Sequence, residues 1–438
     1  MRDHFHALAD ELEKLRQPDE VALLSFAGEQ SDFVRLNVNR VRQAGSVTQH
    51  SIELDLIEGG RHATGGGNVT GDPEWDRSWL RDLVERLRAQ RSGLPEDPHL
   101  LYATEVRDTD DVHVGALPDA PDALDRITRA ARGLDLVGIW ASGHVYAGLA
   151  TSFGQRNWYH GTSFSFDWSC YHQEDKAVKC TYGGLAWDDD ELERRMAEAR
   201  AQLGVLARPS KTIPPGRYRA YLAPAALREL LGMLAWGGFG LKSHRTLQTP
   251  LLKMLREGRT LHPSVTLSEN RVAGLAPRFT AGGFIKADRV TLIEAGRYQD
   301  CLVSPRSAKE YGEPVNSGVE FPEALDMAAG EVAADEVAAR LGTGLHVGNL
   351  WYCNYSDRNE CRITGMTRFA CFWVEDGAIR APVNVMRFDD SIYRMLGENL
   401  LGLTRERELF LETNTYGARS TASMHLPGAL VDDFTLTL

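Results

Sequence analysis

The chain has 438 residues, 43% of them apolar and 25% charged, and a formal net charge of −12. This is the balance of a soluble globular protein, and the length exceeds what one hydrophobic core usually fills, so two or three domains are expected. The acidic surplus disfavours nucleic acid as a partner, because phosphate neutralisation needs clustered Lys and Arg, and no apolar run approaches the ~20 residues of a membrane span.

Phe5, Leu8, Leu12 and Leu15 recur at helical spacing and predict an amphipathic helix at the start. That stretch lacks the apolar core and cleavage site of a secretory signal, so a cytoplasmic location is expected. SDFVRLNVNRVRQ and SVTQHSIELDLIEGG alternate apolar and polar residues, which predicts antiparallel strands with one wet face. The glycine cluster TGGGNVTG reads as a turn needing positive φ. A second helix follows, with Trp79 or Leu80, Leu83 and Leu87 on its stripe. These elements form a first α/β block over residues 1–110.

A second α/β block covers residues 111–210. PDALDRITRAAR reads as a helix, and two or three strands are expected between Leu136 and Trp187. WDDDELERRMAEARAQLGVLARP is a helix by the spacing of Leu192, Met196, Ala199, Leu203 and Leu206, with Asp188 to Asp190 at its positive end. The prolines of PSKTIPPG mark a linker. The third block, residues 216–438, is strand-rich, with EAGR and EDGA as hairpin turns. Helices are expected at APAALRELLGMLAW and EALDMAAGEVAADEVAARLG. The fold class is therefore α/β (α+β): a mixed α/β N-terminal half with curved antiparallel sheets, followed by a β-rich C-terminal domain.

Chemical signatures are sparse. The thirteen histidines are scattered; His144, His160 and His172 lie on strands or turns at wide spacing, with no zinc-protease helix among them. There is no G-x-S-x-G elbow. Cys170, Cys180, Cys301, Cys353, Cys361 and Cys371 contain no C-x-x-C pair and read as reduced, buried thiols.

A family resemblance goes further. Residues 342–388 carry Gly344, Leu345, Gly365, Phe372, Trp373, Glu375, Gly377, Ile379, Pro382 and Val383 in a pattern that resembles the C-terminal domain of the TldD/PmbA family, on its PmbA/TldE-like branch. The hairpin around Arg40, Arg42 and Gln43 is similar to the family's first domain. The resemblance implies a cytoplasmic two-subunit metalloprotease acting on unfolded peptides or peptide precursors. In it a TldD-type subunit carries zinc on an H-E-x-x-x-H helix, and a TldE-type subunit lacks the motif. The name "modulator of DNA gyrase" also attaches to the family. Here the corresponding helix has Arg228 and Met233 where two histidines would bind zinc, while Glu229 remains. Arginine does not donate to a cation. The resemblance therefore implies a non-catalytic subunit without a cofactor, paired with a zinc-bearing TldD-like chain or, alternatively, with itself. Trp351, Tyr352, Arg358 and Arg368 are the expected peptide or partner contacts. The alternatives are a stand-alone peptidase, using a metal held by scattered histidines or no metal, and a non-proteolytic binding protein acting on gyrase or a toxin/antitoxin.

Overall fold

The computed structural model describes residues 1–173 and 176–438. Its first half is built on a long hairpin, β1 (Val21–Asn37) and β2 (Arg40–Glu58), paired antiparallel with one slip between Arg35 and Leu36. The turn is Val38-Asn39, at φ 50° and 52°, the geometry whose twist matches paired strands. The first predicted strand is therefore split: its tail beyond Asn39 belongs to β2. β3 (Arg61–Asn68) pairs with the second half of β2.

Of the glycine cluster, Gly65, Gly66 and Gly67 are strand and none has positive φ, while Gly71, after the strand, turns the chain at φ 88°. A Cβ at Gly66 would meet the Ile52 carbonyl oxygen at 2.3 Å, and one at Gly67 would meet the Trp79 ring at 2.8 Å. The missing side chains let the helix Pro73–Arg91 lie close on the sheet.

β4 (Thr109–His113), β5 (Asp135–Thr151), β6 (Arg156–Gln173) and β7 (Lys176–Gly184) complete the sheet. Its order is β3-β2-β1-β5-β6-β4, with β7 also on β6. Because β1 pairs with β5 from Leu23–Thr151 to Leu36–Gly138, the blocks 1–110 and 111–210 share one sheet. The expected break near residue 110 does not separate two sheets, since a strand as long as β1 bonds neighbours on both edges.

Four helices cover one face. α1 (Arg2–Leu15) and α2 (Pro73–Arg91) pack on Leu24, Phe26, Ile52 and Leu54. α3 (Ala120–Ala130) and α4 (Asp189–Leu206) pack on Val34, Leu36, Trp140 and Phe166. The other face turns toward the C-terminal half, where Leu149 and Tyr159 meet Phe279.

The C-terminal half is one 13-stranded sheet. In chain order its strands are β8 (Gly216–Leu222), β9 (Leu267–Asn270), β10 (Arg289–Glu294), β11 (Arg297–Tyr298), β12 (Ala324–Met327), β13 (Gly344–Val347), β14 (Leu350–Asp357), β15 (Arg362–Thr367), β16 (Cys371–Glu375), β17 (Ala378–Pro382), β18 (Arg387–Ser391), β19 (Leu400–Leu411) and β20 (Ser423–Leu436). The two expected hairpin turns are present, with Ala295-Gly296 and Asp376-Gly377 all at positive φ. The helix expected at 323–342 is largely absent. Ala324–Met327 is the buried strand β12, between β9 and β20, and only Val337–Leu341 is α-helical. Burial of Leu325 and Met327 inside the sheet overrides the local helix propensity. Among the described residues no helix is long and apolar enough to cross a membrane.

Candidate functional site

Helix α5 (Pro224–Ala235) follows β8, with Pro224 in its first turn, where a preset φ suits the helix. Leu227, Leu230, Leu231 and Leu234 are fully buried in the C-terminal core. They fix the helix and leave Arg228, Glu229 and Met233 half-buried beside it. The Arg228 guanidinium lies over the Phe410 ring, 5.4 Å from its centre. Met233 packs against the core, and its carbonyl accepts the Tyr355 hydroxyl at 2.6 Å.

Glu229 sits among groups from three other parts of the chain. Burial raises its pKa; Arg228 and Lys179 of β7 lower it, and Asp167 of β6 and Glu412 raise it. Asp167 is likewise raised by burial, against Lys179 and Arg228. The Lys179 ammonium lies 3.6 Å from Asp167 Oδ2, while Asp167 Oδ1 is buried without a partner. The Cys353 thiol is pushed up to about 12 by burial and by Glu229, so it is neutral.

The 412–422 segment between β19 and β20 runs beside Asp167 and Lys179. Thr413 and Thr415 line a groove of about 260 Å³ with Arg35, Ile139, Asp167 and Lys179. A second groove of about 410 Å³ shares Arg35, Ile139 and Thr415 and extends along the hairpin to Gln43 and Gln49. The segment is anchored by Arg419 Nη2, which donates to the Ser163 carbonyl at 2.8 Å, and by Gln49 Nε2, which donates to the Gly417 carbonyl at 2.6 Å.

Two carboxylates and two cations can hold polar groups of an extended ligand. They do not fit a zinc ion: the two seats on α5 hold a guanidinium and a core-packed thioether. Among the described residues no group of three or more His, Cys, Asp or Glu converges to hold a metal.

The four expected contact residues separate into two sites. Arg358 is an internal clamp, donating to the Gln248 and Trp236 carbonyls at 2.9 and 3.0 Å. Trp351 and Tyr352, by contrast, are 39% and 72% exposed. The Arg368 guanidinium stacks over Trp351 at 4.1 Å. Tyr352 and Phe369 both adopt positive φ, 54° and 66°, a costly conformation for aromatic residues. β14 is bonded only to β15, which leaves this aromatic cluster at a sheet edge.

Sequence reasoning missed Asp167, Lys179, Arg35 and the 412–422 segment. Their only local signal is strand alternation, which carries no information on what a distant segment places opposite. It did single out His144 and His160, and the fold brings these together: His144 Nδ1 and His160 Nε2 are 2.9 Å apart.

A β-rich domain carries the site helix directly after its first strand and is set against a seven-stranded sheet. Residues 215–438 match the PmbA/TldA metallopeptidase C-terminal domain. The chain belongs to the PmbA/TldD family. No curated protein matches it. TldE from Thermococcus kodakarensis has the same fold, with a TM-score of 0.80 and 14% identity over 99% of this chain and 100% of that one. A protein from Thermotoga maritima described as a modulator of a DNA gyrase gives a TM-score of 0.76 at 15% identity, covering 100% of both chains. A similarly described protein from Bacteroides thetaiotaomicron gives 0.75 at 15% identity, covering 99% of this chain and 98% of that one.

Proposed function

We propose that this chain is the zinc-less subunit of a TldD/TldE-type peptidase, needing no cofactor of its own and pairing with a zinc-bearing TldD-like subunit that cleaves extended peptides. The observation that carries the reading is the position of Arg228: a guanidinium stacked on Phe410, beside Glu229, occupies a seat where the family's catalytic branch has an imidazole. Glu229 then has no metal-bound water to act on. The grooves along the β1–β2 hairpin suit an extended chain. Next to β3, the Arg40–Gln49 half of β2 is unpaired along its outer edge, as strand addition requires. Trp351, Tyr352 and Arg368 are the proposed contact with the partner subunit.

The test is peptide hydrolysis. The isolated chain is expected to leave an unfolded substrate such as reduced casein intact, and a co-expressed zinc-bearing subunit is expected to co-purify with it and cleave. Hydrolysis by the isolated chain that disappears in Glu229→Gln would overturn the reading. Recovery of a gyrase subunit, with no peptidase partner, would favour the binding-protein alternative instead.

A further inference from the structure

His144 of β5 and His160 of β6 lie on the helix-covered face of the N-terminal sheet. His144 is opposite Thr162, and His160 is opposite Tyr146, so the two histidines are diagonal cross-strand neighbours on one face. Ile139 and Asp167, which line the groove beside the 412–422 segment, fall on the opposite face by the same register. The helices leave a gap here: α1 and α2 cover one end of the sheet and α3 and α4 the other. A cavity of about 410 Å³ lies beside the start of α3, lined by Ala120, Gln30, Ser142, His144 and Thr162 among others; His144 lines it and His160 stands just behind.

We propose that His144 and His160 form a chelating site for a divalent transition-metal cation of the zinc, nickel or copper(II) type, separate from the α5 cleft. Imidazole nitrogen is the ligand these ions share. Two metal–nitrogen bonds of about 2.0 Å at a tetrahedral angle put the nitrogens about 3.3 Å apart. The observed 2.9 Å reaches that spacing by a shift of a few tenths of an ångström. The Tyr146 ring stacks on both imidazoles, 4.7 Å from His160 and 6.1 Å from His144, and its hydroxyl donates to Gln30 Oε1 at 3.1 Å. Both ring planes are thereby held before any cation arrives, which lowers the ordering cost of binding. With only two protein ligands, the remaining positions go to water or to a small ligand in the cavity, and the site stays open.

The proposal is independent of the role given to α5. Its test uses the full chain without an affinity tag, stripped of metal with a chelator. Zinc(II), nickel(II) and copper(II) are titrated by calorimetry, and copper(II) electron paramagnetic resonance counts the nitrogen ligands. The expected result is one equivalent bound at micromolar cation with two imidazole nitrogens. His144→Gln and His160→Gln each weaken binding at least tenfold, while the exposed His172→Ala binds as the parent does. Circular dichroism checks that each variant is folded, and either of the two histidine variants suffices. No binding at micromolar cation, or an isotherm unchanged in both histidine variants, would show a plain imidazole–imidazole hydrogen bond and overturn the proposal.

Discussion

Glu269 on β9 is buried inside the C-terminal sheet, and both its carboxylate oxygens accept the Ala324 amide, at 3.1 and 3.0 Å. Burial nevertheless pushes its pKa up from 4.5 to about 7; the Ala324 amide and Lys286 oppose the rise and Glu323 adds to it. The folded state thus holds a proton that the unfolded state releases, so this residue's contribution to stability falls as pH rises from about 4.5 to about 7. The loss is at most roughly 3 kcal/mol. Glu269→Gln should flatten that slope, which urea midpoints at pH 5 and pH 8 measure; an equal slope in both proteins would refute the assignment. Glu20 behaves in the opposite sense. Burial raises its pKa, but hydrogen bonds from Arg88, the Gln17 amide and Arg91 outweigh burial and hold it at about 2. Its contribution is present above about 4.5 and is lost as pH falls toward 2. Glu20→Gln should cost roughly 3 kcal/mol near neutral pH, because Arg91 is only 4% exposed and keeps Glu58 as its remaining partner. The same midpoint measurement, repeated at pH 3, should show the difference shrinking.

Among the elements, β14 carries a consequence for assembly. Trp351 stands at a sheet edge under Arg368, and neither side chain is buried in the chain's own core. If this edge meets the partner subunit, Trp351→Ala should weaken association by about 2 kcal/mol, the effect of losing a central aromatic anchor. Arg368→Glu should weaken it further, while both variants unfold as the parent does. Sedimentation of the mixed subunits reads this out, and unchanged affinity in both variants would place the interface elsewhere. The elements also differ in how openly the sequence displays them. α1 and α4 show a single apolar stripe, which local spacing reveals, whereas Arg228, Glu229 and Met233 stand out only through the family resemblance. β12 reads as helix because Ala, Leu and Met favour helices, and only its pairing with β9 and β20 makes it a strand. Likewise, Gly65 to Gly67 read as a turn, whereas it is the approach of Trp79 that requires glycine there. The His144–His160 pair depends on the β5–β6 register, which no spacing along one strand can give.

At the scale of the whole molecule, the two sheets are joined across the cleft by the 412–422 segment, and Arg419 is its deepest anchor. Its side chain is 9% exposed. Nη2 donates to the Ser163 carbonyl at 2.8 Å and the Ser163 hydroxyl at 2.6 Å, and burial lowers its pKa to about 10 while Glu29 opposes the drop. It therefore stays charged near neutral pH. The segment buries few apolar side chains, and Tyr416 at its tip is 98% exposed, so it should open locally without the sheets coming apart. Hydrogen bonds to a charged group contribute about 1.5–3 kcal/mol, which corresponds to a ~10- to 100-fold change in the opening equilibrium. Proteolysis needs an extended, detached segment, and its rate tracks the open population when reclosing is fast. Arg419→Ala should therefore speed chymotrypsin cleavage after Tyr416 by that factor. Lys179→Ala, on the sheet side of the same groove, should leave the rate unchanged, since Lys179 does not hold the segment. Equal cleavage of Arg419→Ala and the parent would mean that the sheets are clamped by other contacts, such as the Arg195–Glu408 pair at 3.4 Å, and that the cleft's outer wall is fixed independently of Arg419.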